Sequence, residues 1–237
     1  MRIFDRGVFF EHVRNDPFGG ELEQSQVDGM EAIMDIWEAV VPNADRRWLG
    51  YCYATAAHET GMEMQPIEEY NAGEGMAYGD KDPETGQTYF GRGYVQLTWR
   101  DNYAKADAEL HLGSKPDAPT TSCEWLAENA LKPNIAAAVM FIGMAEGWFR
   151  GDKLIDFFDG EKDDPYGARE IINGDKHIVP SWSNGVSIGN IIKGYYMSFT
   201  AALNHAAAAV EETNYERDLR RIKGERERGF RDPLHHE

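Results

Sequence analysis

The sequence predicts a mostly helical α+β chain with one small β-hairpin or sheet set against a helix end. Three observations carry this. Apolar residues recur at helical spacing over 27–41, 48–59 and 188–209. The stretch Tyr89–Trp99 mixes aromatic, β-branched and glycine residues, as a short strand or hairpin arm does. Between the second helix and that arm lies Asn71–Asp82, rich in Gly, Asp and Glu, which reads as a loop.

The elements follow in order. Phe9 and Phe10 are able to enter a core, and Asp16-Pro17-Phe18-Gly19-Gly20 is a turn. Ser25 followed by Asp28 resembles a capping box. Val27, Met30, Ile33, Met34, Trp37 and Val41 then define a helix of roughly four turns. Val41-Pro42-Asn43 breaks it, and Asn43 is expected to cap the next helix. Beyond the hairpin, Asp101–Leu112 reads as a helix stopped by Gly113, and 114–121 as a Pro-containing loop. Ala127–Arg150 reads as one or two helices interrupted near Pro133. Tyr166–Asn173 is a helical turn, and Asp175–Gly185 a polar loop holding Trp182. Ile188–Ala209 is a long helix. Residues 1–210 are read as one catalytic domain and 211–237 as a charged C-terminal helix or tail.

The second helix carries the chemistry. Trp48, Cys52 and Thr55 recur along one stripe, and at 100° per residue Glu59 lies within roughly 20–40° of all three. Its carboxylate therefore projects from the buried side just where the helix ends. A carboxylate there is costly unless it is paired, solvated by a cleft or protonated. A protonated carboxyl beside a groove is what a general acid requires. Further acids follow: Glu68, Glu69, Glu74, Asp80 and Asp82. Two carboxylates across a groove can hydrolyse a glycosidic bond.

At these residues the chain resembles a known family. His58-Glu59-Thr60, then Pro66-Ile67-Glu68-Glu69, then Tyr89-Phe90-Gly91-Arg92-Gly93-Tyr94-Val95-Gln96-Leu97-Thr98-Trp99 is similar to the family 19 glycoside hydrolases, the chitinase and endolysin family. The phage and bacterial endolysin branch matches better. The resemblance extends back to Phe18-Gly19-Gly20 and forward to Ala168-Arg169-Glu170-Ile171-Ile172-Asn173-Gly174, and so spans roughly residues 9–205. It implies a lysozyme-like fold of two lobes, with the small sheet lining the cleft. It implies Glu59 as general acid and Thr98 as positioner of the attacking water. The Pro-Ile-x-Glu match favours Glu69 as the second acid, with Glu68 next. Gln96, Asn102 and Asn173 match sugar-binding positions, and Tyr70, Trp99 and Trp182 are candidates to stack on sugar rings. Each has a plainer reading: Gln96 and Asn102 as polar braces of the sheet, Asn173 as a helix C-cap, the aromatics as core. Arg92 is expected to hold Glu59, or else to brace the hairpin.

Composition narrows the partners. The net charge of −17 argues against nucleic acid and against capture by an anionic surface. No apolar run is long enough to span a bilayer. Cys52 and Cys123 make no disulfide framework and are expected to be reduced, Cys52 as a core thiol. Position 62 is Met, so His-Glu-x-x-His is absent; no metal and no cofactor is expected. Met1-Arg2-Ile3-Phe4-Asp5-Arg6 has charges where a secretory leader has an apolar core, so synthesis in the host cytoplasm is expected, with action at the wall after a separate release. The expected protein is a monomeric glycosidase on a β-1,4-linked N-acetylated polymer, peptidoglycan ahead of chitin, acting by inversion. A lytic transglycosylase and a non-catalytic sugar-binding or structural domain are the rivals.

Overall fold

The computed structural model describes residues 3–40, 43–113 and 121–229. Among the described residues six α-helices carry the fold: α1 Arg6–Asn15, α2 Gln24–Val40, α3 Arg46–Glu59, α4 Arg100–Glu109, α5 Pro133–Glu146 and α6 Ile188–Gly229. The sheet is two short strands, β1 Ile67–Glu68 and β2 Arg92–Gly93, antiparallel, with Ile67 opposite Gly93 and Glu68 opposite Arg92. The expected mostly helical α+β fold with a small sheet is therefore present.

At the centre is α3. Every residue from Leu49 to Ala57 is buried. It packs along α6, while α5 packs on α2. Gly50 permits the close approach to α6: a Cβ there would collide with Thr200. Tyr53 stacks between Phe9 of α1 and Phe199 of α6, at 5.3 and 5.2 Å, and its hydroxyl donates to the Met30 carbonyl of α2 at 2.8 Å. One aromatic thus ties four helices together and satisfies its own polar atom. Cys52 and Cys123 are both buried thiols, as expected of Cys52. Burial pushes Cys123 up to about 12, and Cys52 higher still.

Several local expectations change. Gln26, not Ser25, closes the N-terminus of α2: its side chain accepts from the Glu23 N–H at 2.8 Å. Asp45, not Asn43, caps α3, accepting from the Arg47 N–H at 2.9 Å. At α3 both Asn43 and Asp45 stand before the helix, and at α2 a glutamine side chain takes the role expected of Ser25. Residues 211–229 continue α6 without a break. Thr213, Asn214 and Arg217 of that stretch line a pocket with Phe4–Gly7 at the chain start. Val41-Pro42, most of the 114–121 loop and residues 230–237 lie outside the described residues.

Candidate active site

Glu59 is the last residue of α3, where the sequence puts it. Thr60 ends the helix; its Oγ1 donates to the Ala56 carbonyl at 2.7 Å and accepts from the Met64 N–H at 3.0 Å. The chain then turns sharply through Gly61 and Met62, both at positive φ. The Glu59 side chain is 17% exposed, so solvent reaches the carboxylate although the helix behind it is sealed.

What holds Glu59 is Arg169, not Arg92. The Arg169 Nη1 donates to Glu59 Oε1, and its Nε and Nη2 grip Asp175 at 2.6 and 3.0 Å. The guanidinium is 3% exposed. Two carboxylates on opposite edges of one buried fork offset its desolvation. Arg169 sits in the 3-10 turn Gly167–Ile171, which the Asp164 carboxylate anchors by accepting from the Gly167 N–H at 2.8 Å. Burial alone pushes the Asp175 carboxyl up; the Arg169 hydrogen bond and charge outweigh it and hold Asp175 below its usual value. Burial likewise lowers His58, against the opposing pull of the Glu59 charge.

Arg92 serves the sheet instead. Its Nε donates to Glu68 Oε1 at 3.3 Å, its Nη1 to the Thr88 carbonyl at 2.9 Å, and its guanidinium lies 3.6 Å from the Phe90 ring centroid. The bracing alternative for Arg92 is the one the structure selects. The reason is distance in sequence. Arg92 is near the acid along the chain, but Arg169 reaches it through the fold.

Around the sheet a second cluster forms. Glu69 accepts from the Tyr78 hydroxyl at Oε1 and from the Gly91 N–H at Oε2, both at 3.0 Å. A Cβ at position 91 would lie 2.7 Å from Gln96 Oε1 and 3.3 Å from Glu69 Cβ, so glycine is what lets the three approach. Gln96 donates from Nε2 to the Ile67 and Gly93 carbonyls, each at 3.2 Å. Thr98 Oγ1 donates to the Gln96 carbonyl at 2.7 Å, and Asn102 Nδ2 donates to the Thr98 carbonyl at 2.7 Å. Gln96 and Trp99 both sit at positive φ, 54° and 74°. Non-glycine residues held there cost about 1–3 kcal/mol each and gather at functional sites.

Only part of the expected β arm pairs as strand. Positive-φ residues bend Tyr89–Trp99 into a tight loop bridged between Arg92 and Leu97. Beside it is a pocket of 320 Å³, lined among others by Tyr78, Asp82, Trp99 and Arg100. Asp82 closes its own turn, accepting from the Glu84 and Thr85 N–H groups at 3.0 and 2.9 Å, and also accepts from Arg100. Asn173 is exposed, with its N–H donated to the Arg169 carbonyl at 2.9 Å. Tyr70, Trp99 and Trp182 are exposed rather than core, at 90%, 51% and 66%. Among the described residues no group of His, Cys, Asp and Glu is placed to hold a metal ion.

Chains of known structure share this architecture. Chitinase C from Streptomyces griseus HUT6037 superposes with a TM-score of 0.55 at 16% identity, covering 85% of this chain and 77% of that one. A Glu-to-Gln mutant of chitinase C gives 0.53 at 17%, covering 85% and 93%. The fold is chitinase-like. A bacterial family 19 chitinase is also similar, with a TM-score of 0.47 at 15% identity, covering 85% and 95%. No protein-family model matches the chain, and no curated protein matches it in sequence. At these identities the likeness is one of fold. It bears out the mostly helical fold with a small sheet that the sequence implied.

Proposed function

We propose that this chain is a glycoside hydrolase that cleaves β-1,4 bonds of an N-acetylated sugar polymer by inversion. Glu59 protonates the leaving glycosidic oxygen. Glu69 activates a water on the opposite sugar face, and Thr98 orients that water through the lone pairs its hydroxyl keeps. Inversion needs two carboxyl groups far enough apart to admit the water. Gln96, Asn102, Asn173 and Tyr70 contact the sugars, and Glu68 lines the same wall. Arg169 takes up the charge that Glu59 acquires on losing its proton, and Asp175 keeps Arg169 in place.

The observation that carries this reading is the setting of Glu59. It is a solvent-reached carboxylate on the tip of a buried helix, fixed by a buried arginine. A surface acid needs no such support. The bacterial wall polymer is the preferred substrate, because the motif run is nearer the endolysin branch; the protein then acts at the wall after release from the cytoplasm, as a monomer. Chitin is the second reading, favoured by the chitinase C likeness.

The test is Glu59→Gln. Wall lysis is expected to fall about 10²–10⁴-fold, with the fold retained and the melting temperature lowered, since Arg169 loses one of its two carboxylate partners. Persisting lysis removes Glu59 from the mechanism. Relative turnover on purified sacculi and on chitin oligomers separates the two substrates. An anhydro-sugar product indicates a lytic transglycosylase instead.

A further inference from the structure

The loop from Asp175 to Ser187 has a use that the acid pair does not explain. Within nine residues it exposes four large apolar side chains: Ile178, Val179, Trp182 and Val186. Scattered exposed apolar residues are ordinary, but a contiguous group on one loop marks a binding surface. This loop is also built rather than loose. The Ile188 N–H bonds the Ile178 carbonyl at 2.9 Å and the Gly189 N–H bonds the Lys176 carbonyl at 3.1 Å, closing its base. Inside it, the buried Ser183 donates its hydroxyl to the Pro180 carbonyl at 2.8 Å, and Asn184 and Gly185 turn the chain at positive φ. Tyr166 and His177 meet side chain to side chain at 2.6 Å. The apolar faces are therefore held out to solvent without a compensating core contact, and binding there costs little ordering entropy.

The foot of the loop is Asp175, the residue that shares Arg169 with Glu59. The loop that carries the apolar platform thus starts beside the arginine that holds the proposed catalytic acid. We propose that this loop is a sugar-binding platform, with Trp182 stacking on a pyranose ring of the polymer beyond the scissile bond. The inference rests on the glycosidase reading and deepens it. A sugar ring offers an apolar C–H face with a rim of hydroxyl and amide groups. The loop offers the complement: an indole face flanked by exposed Ser181, Asn184 and His177. A lipid surface is the poorer fit, since an anionic bilayer repels a chain of net charge −17.

The test uses the full chain in the Glu59→Gln background, so that the polymer is not consumed. Co-sedimentation with insoluble chitin and with purified sacculi measures retention. Trp182→Ala is expected to weaken binding to at least one polymer by about five- to tenfold, the size of a lost aromatic anchor. Trp182→Phe is expected to restore most of it, which a general folding defect in the alanine variant would not allow. Equal retention of the alanine variant and its parent overturns the proposal. So does a Trp182-dependent association with phosphatidylglycerol vesicles, or with a second copy of the chain by light scattering, in place of polymer. The two readings fail separately. If Glu59→Gln still lyses walls while Trp182→Ala loses retention, the acid assignment falls and the platform stands. If lysis is lost but retention ignores Trp182, the reverse holds.

Discussion

The two proposed acids are mounted in opposite ways. Glu59 rides on a helix whose preceding turns are wholly buried, and a buried guanidinium fixes it by charge. Glu69 follows a two-residue strand and is fixed by neutral donors, the Tyr78 hydroxyl and the Gly91 N–H. Just beyond it Asn71 and Ala72 sit at positive φ, in a loop rather than a continuous element. The first acid has a rigid support and a single geometry. The second has a support built from turns, which open more readily than packed helices do. Proton donation to a fixed leaving oxygen needs the former. Holding a water whose place varies with the bound sugar tolerates the latter.

The largest expected break in this contrast is Arg169→Ala. It leaves Glu59 and Asp175 facing each other, partly buried, with no cation between them. Removing one partner of such a network costs about 3–5 kcal/mol, read as a lower urea midpoint, with activity lost as well. Arg169→Lys is expected to recover stability only in part, because a lysine cannot bridge both carboxylates as a fork does. A loss below about 1 kcal/mol in the alanine variant means that the pair behaves as a surface ion pair and does not support the acid. Next in size is Glu69→Gln. The amide oxygen still accepts from the Gly91 N–H, and its NH2 donates to the Tyr78 oxygen in place of the bond Tyr78 gave, so folding is expected to hold while turnover drops about 10²-fold or more. Undiminished turnover moves the second acid to another residue of the wall, Glu68 first. Smaller again is Tyr78→Phe, which removes one of the two hydrogen bonds that hold Glu69. About 1 kcal/mol is expected there, seen as a few-fold loss of turnover.

The same contrast decides what was legible in the sequence. Glu59 was, because a helix's periodicity fixes the direction of every side chain on it, including its last. The motif run around Gly91 to Thr98 located the sheet, but not its extent. Two residues pair in each strand, and the Gly91–Trp99 loop depends on φ values at Gln96 and Trp99 that their residue types do not announce. Arg169 lies in the run Ala168–Gly174, but nothing local in the sequence gives its task. It lies 110 positions from Glu59, and no spacing rule reaches so far. A usable signal was present all the same: an arginine in the run Gly167-Ala168-Arg169-Glu170-Ile171-Ile172, with small and apolar neighbours on both sides, is costly to bury unless acids meet it. The charged C-terminal segment read as a helix or tail, and its helix is continuous with α6 because Val210 to Gly229 contains no proline and only one internal glycine, Gly224.

The finest probe of the Glu59 mount is His58, which precedes it on the helix. Burial lowers the ring's proton affinity, the Glu59 charge partly restores it, and Arg169 lowers it further. The folded value therefore lies below the unfolded one, about 6.5. In that window the unfolded chain binds the proton more readily. The sign follows: the contribution is fully present above about pH 6.5 and is lost as pH falls from there through the folded value. The carboxylate network acts at lower pH, since Asp175 is held below its usual value and loses its contribution only in the acid range. Urea midpoints at pH 7.5, 6.5 and 5.5 are expected to decline for the parent, and to decline less for His58→Gln. The difference in slope stays within one proton, about 1.4 kcal/mol per pH unit. Parallel slopes for the two proteins mean that the ring takes up its proton as freely folded as unfolded, and that the helix tip around Glu59 is as open to water as the loop around Glu69.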